Sequence, residues 1–266
     1  MNVLVLGSEG IEQVLINLCK KSKFLDHIYT ASNEPLEEIP NIEYQNYDEL
    51  VHKAKALHID LVLIANKNFI KNGLVEYLRK NKINTISVNQ KWFNLESSRL
   101  ITKQLLNHYS INTAEIIKVP KTFPVVIKTN KPFLTKIAYS MNELVRYREE
   151  INEEQVFLEE YLQGEVCYLL SLWDGKTLLH FDPEKLQTEV QEDRFNLLKT
   201  KLNIMFSDET PDFIGFFITK LIWAKHDWHV LEFIMHLDNS FDLSKIKQDF
   251  LYILNSAIYQ KLNEIE

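Results

Sequence analysis

The chain has 266 residues, of which 45% are hydrophobic and 25% charged, a balance typical of a globular protein with two compact domains. A formal net charge of −7 argues against a broad nucleic-acid-binding surface. The first apolar run, Val3–Leu6, is too short for a signal peptide or a membrane span, so we expect no membrane association and a cytoplasmic location. Only 6 glycines occur, few for a protein that holds phosphates with backbone amides.

The N-terminal part of the chain predicts strands that alternate with helices. Val3–Leu6 is a short apolar strand that ends at Gly7, and apolar residues then repeat at helical spacing through Leu18. Further strands are predicted at 27–31, 41–45, 61–64 and 85–88, and further helices at 48–57 and 69–80. This alternation predicts a parallel sheet covered by helices on both faces, ending near Asn89.

After residue 89 the pattern changes to mixed sheets. The predicted elements are a helix at 94–108, a strand at 124–128, a helix at 141–150, a strand at 156–162, hairpins at 165–181 and 213–236, and an amphipathic helix at 243–262. The first hairpin turns at Asp174-Gly175. The fold class is therefore α/β, with a doubly wound domain at 1–89, an α+β domain at 90–240 and a C-terminal helix within 241–266.

The turn Gly7-Ser8-Glu9-Gly10 places two glycines between a strand and a helix, an arrangement that can hold a phosphate. The dinucleotide fingerprint needs a third glycine, however, and that position is Gln13. The carboxylate of Glu9 would also repel an anionic ligand. We interpret the turn as structural and keep Gly7, Ser8 and Gly10 as candidate contacts for a substrate phosphate.

The last predicted strand carries a carboxylate among apolar neighbours. Alternation along a strand places Val230, Glu232, Ile234 and His236 on one face. A buried carboxylate is costly unless it is paired or binds a cation, so Glu232 is either an ion-pair partner or a metal ligand. Magnesium usually needs further oxygen ligands, and Ile234 supplies none.

Other polar residues leave alternatives open. Lys128 and Lys136 either project toward a triphosphate or are exposed strand lysines, and Glu159-Glu160 could present one carboxylate to a ligand. The remaining candidates are interpreted as surface histidines and small core cysteines rather than metal ligands: His226, His229, His236, Cys19 and Cys167.

Several segments, taken in order, carry a resemblance to a known family. They are Met1-Asn2-Val3-Leu4-Val5-Leu6-Gly7-Ser8, Leu95-Glu96-Ser97-Ser98-Arg99, Pro124-Val125-Val126-Ile127-Lys128, Val156–Glu165 and Val230-Leu231-Glu232-Phe233. In these segments the chain resembles phosphoribosylamine–glycine ligase, an enzyme of purine biosynthesis that joins glycine to a phosphoribosylamine with ATP. The resemblance implies a Rossmann-like pre-ATP-grasp domain followed by a reduced ATP-grasp domain that clamps a nucleotide between two sheets.

The resemblance also implies site residues, with ATP and Mg²⁺ as cofactors if the protein is active and none otherwise. The candidate ATP contacts are Lys103, Lys128, Lys136, Glu159, Glu160, Leu162 and Glu165. Glu232 is the candidate metal ligand, and Gly7, Ser8 and Gly10 are the candidates for the substrate phosphate.

Departures from the family pattern predict a loss of catalysis. The family's Arg-Glu-His in the first turn is Ile11-Glu12-Gln13, and its glycine-rich flap is the glycine-free segment 130–136. Its Glu-x-Asn-x-Arg strand keeps Glu232 but has Ile234 and His236 in place of the other two residues. The segment between residues 174 and 215 is also too short for the family's acceptor loop. These changes together would remove phosphate, metal and acceptor contacts.

The leading hypothesis is thus a catalytically degenerate family member that acts as a binding or partner-regulating protein. The alternatives are an active ATP-dependent carboxylate–amine ligase and a nucleotide sensor without turnover. The expected partners are a small nucleotide, another protein or a second copy of the chain, with no nucleic acid and no membrane. The state of the cleft between the two sheets would distinguish these hypotheses: it is either open or filled by apolar side chains such as those of Phe133 and Ile234.

Overall fold

The computed structural model describes most of the chain. The described residues are 1–7, 10–32, 36, 38–129, 134–151, 156–181, 183 and 188–265. Within these ranges, no helix combines the length and the apolar character needed to cross a bilayer.

The N-terminal sheet is parallel and consists of β1 (Asn2–Leu6), β2 (His27–Thr30), β3 (Leu61–Ile64) and β4 (Thr85–Ile86), in the order β2-β1-β3-β4. The accompanying helices are α1 (Ile11–Lys20), α2 (Tyr47–Ala56), α3 (Lys67–Lys71) and α4 (Leu74–Lys80). Alternate residues of β1 pack on opposite faces of the sheet. Val3 and Val5 belong to the apolar cluster that contains α1, whereas Leu4 and Leu6 belong to the cluster that contains α2 and α4. The predicted parallel sheet with both faces covered is confirmed.

Two predictions for this part are wrong in detail. The strand predicted at 41–45 is only a single bridge between Thr30 and Asn41. The side chain of Asn41 bonds to both backbone groups of Ser32, which ends the ladder there. The helix predicted at 69–80 is divided into α3 and α4 because Gly73, with φ of 75°, takes a left-handed conformation between them.

Two antiparallel sheets follow the parallel one. The first contains β5 (Ile116–Ile117), β6 (Val125–Thr129), β7 (Thr135–Ala138) and β8 (Val156–Glu160), in the order β5-β8-β6-β7. The second contains β9 (Glu165–Trp173), β10 (Leu178–Phe181), β11 (Gly215–Ala224) and β12 (Asp227–Ile234), in the order β10-β9-β11-β12. Both predicted hairpins are present in the second sheet.

The helices of this part differ more from the predictions. The single helix expected at 94–108 is α5 (Gln90–Ser97) and α6 (Arg99–His108), separated by the extended backbone of Ser98. The remaining helices are α7 (Met141–Glu150), as predicted, α8 (Glu189–Glu209), which no prediction covers, and α9 (Phe250–Ile258).

The C-terminal helix predicted at 243–262 is shorter than expected. Asp249 caps the start of α9 by accepting a hydrogen bond from the backbone of Tyr252, and Gln260 leaves the helical conformation with φ of 56°. The helix is amphipathic, as predicted: Leu251, Ile253 and Leu254 are buried against α1 and the second antiparallel sheet, whereas Tyr252 and Asn255 are exposed.

The apolar core is shared by the two predicted domains. One cluster joins Leu4 of the parallel sheet to Trp92 of α5, Phe206 of α8 and Phe217 of β11. The backbone N–H of Ser87 also donates to the carbonyl of Ile214 at 2.8 Å, so the chain after β4 is tied directly to the start of β11. The boundaries predicted at residues 89 and 240 remain predictions.

Both cysteine thiols lie in environments that oppose ionisation. Cys19 is fully buried and Cys167 is half-buried, and burial raises the pKa of each thiol to about 12. Since the thiolate is the reactive form, we expect neither thiol of the folded protein to react with a disulfide reagent near about pH 8, and both to react in denaturant. Rapid labelling of the native protein would contradict this expectation.

Candidate functional site

A cleft of about 350 Å³ lies between the two antiparallel sheets. Its walls come from β6, β7 and β8 on one side and from β9, β11 and β12 on the other. The charged lining residues are Arg99, Lys128, Glu159, Glu160, Lys220 and Glu232. The apolar lining residues are Ala114, Val126, Ile137, Leu162, Val166, Ile222 and Leu231. A space that combines apolar and charged walls suits a ligand with a flat base and a charged tail.

Glu159 joins two of the predicted lysines. Its carboxylate is 1% exposed, with Oε2 at 2.7 Å from Lys128 Nζ and Oε1 at 3.0 Å from Lys103 Nζ. These side chains come from β8, β6 and α6, respectively, so three separate elements converge on one buried charge. A buried carboxylate needs cationic or hydrogen-bonding partners, so the two lysines stabilise Glu159 in the fold. The same lysines could also contact an anionic ligand.

Glu232 forms a second ion pair in the cleft. Lys220 Nζ donates to Glu232 Oε1 at 3.0 Å, and an Nη atom of Arg99 lies 4.0 Å from the other carboxylate oxygen. Of the two roles predicted for Glu232, the structure therefore supports the ion pair. We call the connected residues Arg99, Lys103, Lys128, Glu159, Lys220 and Glu232 the cleft network.

A β-bulge sets the direction of Glu232. In the pairing of β11 with β12, Lys220 lies opposite Glu232 but Leu221 lies opposite Val230, so Leu231 is the extra residue. Val230 is consequently in the core with Phe233, whereas Leu231 and Glu232 both line the cleft. The prediction that Val230 shares a face with Glu232 is wrong, since regular alternation does not hold across a bulge.

The pKa shifts in the cleft network arise from burial and from neighbouring charges. Burial lowers the pKa of Lys128, and the positive charges of Arg99 and Lys103 add to this effect against the opposing carboxylate of Glu159. Burial acts to raise the pKa of Glu232, but the hydrogen bond from Lys220 and the charges around it hold that pKa below its usual value. Four cations thus surround two carboxylates.

Two other predicted ATP contacts also line the cleft. Leu162 contributes apolar surface, and Glu160 is the last residue of β8, two positions before Leu162. Glu160 is already engaged, since its carboxylate accepts a hydrogen bond from the backbone N–H of Glu115 at 3.1 Å and pairs with Lys225. Its charge is therefore balanced outside the cleft network.

Lys136 and Glu165 lie away from the cleft lining. Lys136 Nζ is 2.5 Å from a carboxylate oxygen of Glu150, while its neighbours on β7, Thr135 and Ile137, face the cleft. Val166 of β9 lines the cleft in the same way, so alternation turns Glu165 outward. The direction of a side chain in a strand depends on register, which the sequence did not determine here.

The predicted phosphate turn is only partly described. Ser8 lies outside the described residues. A Cβ added to Gly7 would come within 2.4 Å of Glu12 Cβ, so this glycine allows the close approach of α1 to β1. Gly10 precedes α1 with φ of 86°. Both positions have a structural reason for glycine, in agreement with the structural interpretation of the turn.

A groove continues from the cleft toward the parallel sheet. A cavity of about 220 Å³ shares Arg99 and Glu232 with the cleft and extends to His236 and Asp238. A further cavity of about 260 Å³ shares His236 and Asp238 and reaches the segment after β3. Ile234 lines the 220 Å³ cavity, and Phe133 lies outside the described residues. Ile234 therefore leaves the cleft open.

Two of the three histidines are not surface residues. His236 has a side chain that is 13% exposed, with Nδ1 at 2.9 Å from a carboxylate oxygen of Glu96. His229 is 8% exposed. The surface interpretation is wrong for both, since His236 is covered by Glu96 of α5, and His229 lies within β12 with Nδ1 at 3.2 Å from the carbonyl oxygen of Asp227. His226, with φ of 63°, lies in the turn between β11 and β12.

The described residues fit a nucleotide better than a magnesium ion. Among them, no three His, Cys, Asp or Glu side chains are grouped so as to hold a metal. The carboxylate of Glu232 is occupied by Lys220 and Arg99, and Ile234 offers no oxygen. The excess of cations, by contrast, suits the phosphates of a nucleotide.

Sequence reasoning missed Arg99 and Lys220 as residues of the site. A signal for Lys220 existed, because it is a lone lysine in the apolar strand Gly215–Ala224 and pairs across a hairpin with Glu232. Arg99 had no comparable signal, since its position depends on the break at Ser98 that starts a new helix.

Comparisons with known proteins agree with this architecture. Residues 1–96 match the family model described as "Phosphoribosylglycinamide synthetase, N domain". The phosphoribosylamine–glycine ligase of Fusobacterium nucleatum is 23% identical over 321 aligned positions, which cover 100% of this chain and 75% of that protein. Since the alignment is longer than the 266-residue chain, internal segments of that relative have no counterpart here.

Solved structures give the same result for the fold. The phosphoribosylamine–glycine ligase from Thermotoga maritima superposes with a TM-score of 0.75 at 16% identity, covering 97% of this chain and 75% of that one. D-alanine–D-alanine ligase from Bacillus anthracis, in complex with ATP, superposes with a TM-score of 0.61 at 19% identity, covering 100% and 98%. With its parallel sheet followed by two antiparallel sheets around a cleft, the chain has the fold of a Rossmann-like pre-ATP-grasp domain followed by an ATP-grasp domain, and its sequence is similar to those of phosphoribosylamine–glycine ligases.

Proposed function

We propose that the protein binds an adenine nucleotide in the cleft and has lost most or all of the ligase activity of its purine-biosynthesis relatives. Among the three hypotheses from the sequence, this proposal corresponds to a nucleotide-binding protein without efficient turnover. The observation that carries it is the cleft network, in which four cations surround two carboxylates beside an open cavity of about 350 Å³.

The cleft retains features that favour nucleotide binding. Lys128 and Arg99 line it and are held in place by Glu159 and Glu232. The apolar side chains of Leu162, Ile222 and Leu231 offer a surface for a base. The solved relative from Bacillus anthracis that superposes over the full chain was crystallised with ATP, which supports the choice of ligand.

The arrangement around Glu232 argues against efficient ligation. Its carboxylate is shared by Lys220 and Arg99, and the next residues on the cleft side, Ile234 and His236, replace the amide and guanidinium of the family pattern. The loss of a metal ligand and of preorganised donors reduces rates by about two to three orders of magnitude per donor. Several such losses together would leave little turnover.

We expect ATP to stabilise the protein against heat, since a ligand at about 100 times its dissociation constant adds about 2.7 kcal/mol to the free energy of unfolding. The melting temperature should rise with ATP concentration in the wild type and rise much less in Lys128→Ala. Lys53→Ala is the matched control, because Lys53 pairs with Glu49 on α2, far from the cleft. No shift at millimolar ATP would reject nucleotide binding.

An active ligase remains the alternative, because the curated relatives are named phosphoribosylamine–glycine ligases. Coupled measurement of ADP release with glycine and phosphoribosylamine distinguishes the two. Turnover that depends on both substrates and disappears in Glu232→Ala would establish the ligase. ATP binding without ADP release would agree with our proposal.

A further inference from the structure

The position of Glu232 leads to a more specific statement about the ligand. Resting on the proposed nucleotide binding, we propose that the cleft binds a polyphosphate ester without magnesium, with Arg99, Lys128 and Lys220 contacting the phosphates directly. The protein's own cations would then supply the positive charge that a metal ion would otherwise bring to the phosphates.

Glu232, the only residue predicted as a metal ligand, is already occupied by cations. Lys220 Nζ is 3.0 Å from one oxygen of Glu232, and Arg99 is 4.0 Å from the other. A divalent cation at this carboxylate would lie beside two positive charges and would have to displace them. In the part of the chain that the structure describes, no cluster of acidic or histidine side chains offers an alternative site. At Glu232 a magnesium ion would therefore find a single carboxylate rather than a cluster of oxygen ligands, and it would lie in the field of two cations.

The cations themselves are placed where a polyphosphate could contact them. Arg99, Lys128 and Lys220 come from α6, β6 and β11 and all line the same cavity. A guanidinium presents a planar fork of donors that matches phosphate oxygens, and lysine adds a compact charge. Of the three carboxylates that line the cavity, Glu159 and Glu232 pair with these cations, whereas Glu160 is paired with Lys225 and does not offset their charge.

Glu232 competes with the ligand for the cations of the cleft. Its carboxylate bonds to Lys220 and Arg99, which are two of the three cations that would contact the phosphates. Phosphate binding must therefore weaken these ion pairs. Removing the carboxylate should release both cations and strengthen binding, whereas removing a metal ligand would weaken it. The sign of this single change separates the two possibilities.

The experiment is calorimetric titration of the whole protein with ATP, once with EDTA and once with excess magnesium. For the wild type we expect a dissociation constant in EDTA equal to or smaller than that in magnesium. The Glu232→Gln variant should bind ATP about 2- to 10-fold more tightly in EDTA. The gain is small because the partly exposed ion pairs of Glu232 compete only weakly with the phosphates for the cations. Lys220→Gln should bind on the order of 10-fold more weakly, because a charge-assisted contact is lost. Lys53→Gln, with the same change in charge on α2, should match the wild type.

Each contrary result has a distinct meaning. Binding that appears only with magnesium, or weaker binding by Glu232→Gln, would overturn the metal-free site and leave nucleotide binding intact. No binding under either condition would reject both proposals. Titration with inorganic tripolyphosphate shows whether the phosphates alone suffice, and equal affinity for it and for ATP would assign the site to the polyphosphate rather than to the adenosine. The magnesium comparison uses only the wild type, so it does not depend on the folding of any variant.

Discussion

Replacing Glu159 with glutamine is expected to destabilise the protein by about 3–5 kcal/mol, the cost of breaking a buried ion pair from one side. The carboxylate is 1% exposed and shared by Lys103 and Lys128, at 3.0 and 2.7 Å. Glutamine preserves the shape of the side chain but leaves two buried cations without their common partner. Chemical unfolding followed by circular dichroism should show a lower midpoint with an unchanged slope.

Glu160→Gln is the natural control, because Glu160 follows Glu159 on the same strand but pairs with the exposed Lys225. Its substitution should change stability by about 1 kcal/mol or less. Adding Lys128→Met to Glu159→Gln should recover part of the lost stability, because one stranded cation is removed. Equal small effects of the two glutamate substitutions would show that the buried ion pairs do not stabilise the cleft.

Truncation of Phe206 to alanine is expected to cost about 3–5 kcal/mol, as for other large aromatic side chains in cores. The ring is 1% exposed and stacks on Phe217, with 4.7 Å between ring centroids and 4° between the ring planes. Its centroid also lies 5.5 Å from that of the Trp173 ring and 6.4 Å from that of the Trp92 ring. Its loss would open a cavity where α8, α5 and the second antiparallel sheet meet.

Leu197→Ala on the same helix provides the comparison, because Leu197 is 44% exposed and should contribute less than about 0.5 kcal/mol. Phe206→Leu, which fills part of the space, should lose less stability than Phe206→Ala. The measurement is again the midpoint of chemical unfolding. If Phe206→Ala and Leu197→Ala had the same unfolding midpoint, the aromatic contacts of Phe206 would not be what holds α8 in place.

The elements that the sequence predicted well are those whose signal is local. β3 at Leu61–Ile64 is a short apolar run between polar residues, and β9 at Glu165–Trp173 is bounded by a glycine and a turn. The ends of α7 follow from Ser140, whose side chain caps the first turn, and from the hydrophilic run that closes the helix. In each of these segments, local propensity and tertiary packing favour the same structure.

The missed elements depend on contacts between distant residues. α8 has no strong apolar stripe, because its long charged sequence is helical mainly through the packing of Phe195, Leu202 and Phe206. The bulge at Leu231 arises from the pairing of two strands and has no signature in either strand alone.

The candidate site was predicted in the same uneven way. The resemblance to a family pointed to Lys103, Lys128 and Glu159, which the structure joins by ion pairs. It also pointed to Lys136, which the structure pairs with Glu150 outside the cleft. Of the partners of Glu232, Lys220 could have been inferred from the hairpin that pairs β11 with β12, whereas Arg99 could not, since its position depends on the start of α6.

The few glycines of the chain are all explained by geometry. At Gly164 an added Cβ would lie 1.8 Å from the carbonyl oxygen of Trp223, and at Gly215 it would lie 2.5 Å from the backbone carbon of Ser87. Gly7 is similarly crowded, and the other three glycines have positive φ. Each of the six glycines therefore has a role in the backbone geometry, and no glycine is left over for a flexible loop. Introducing a glycine-rich, phosphate-binding loop by protein engineering would therefore require additional glycines. Moving any existing glycine would disturb a turn or a close backbone contact.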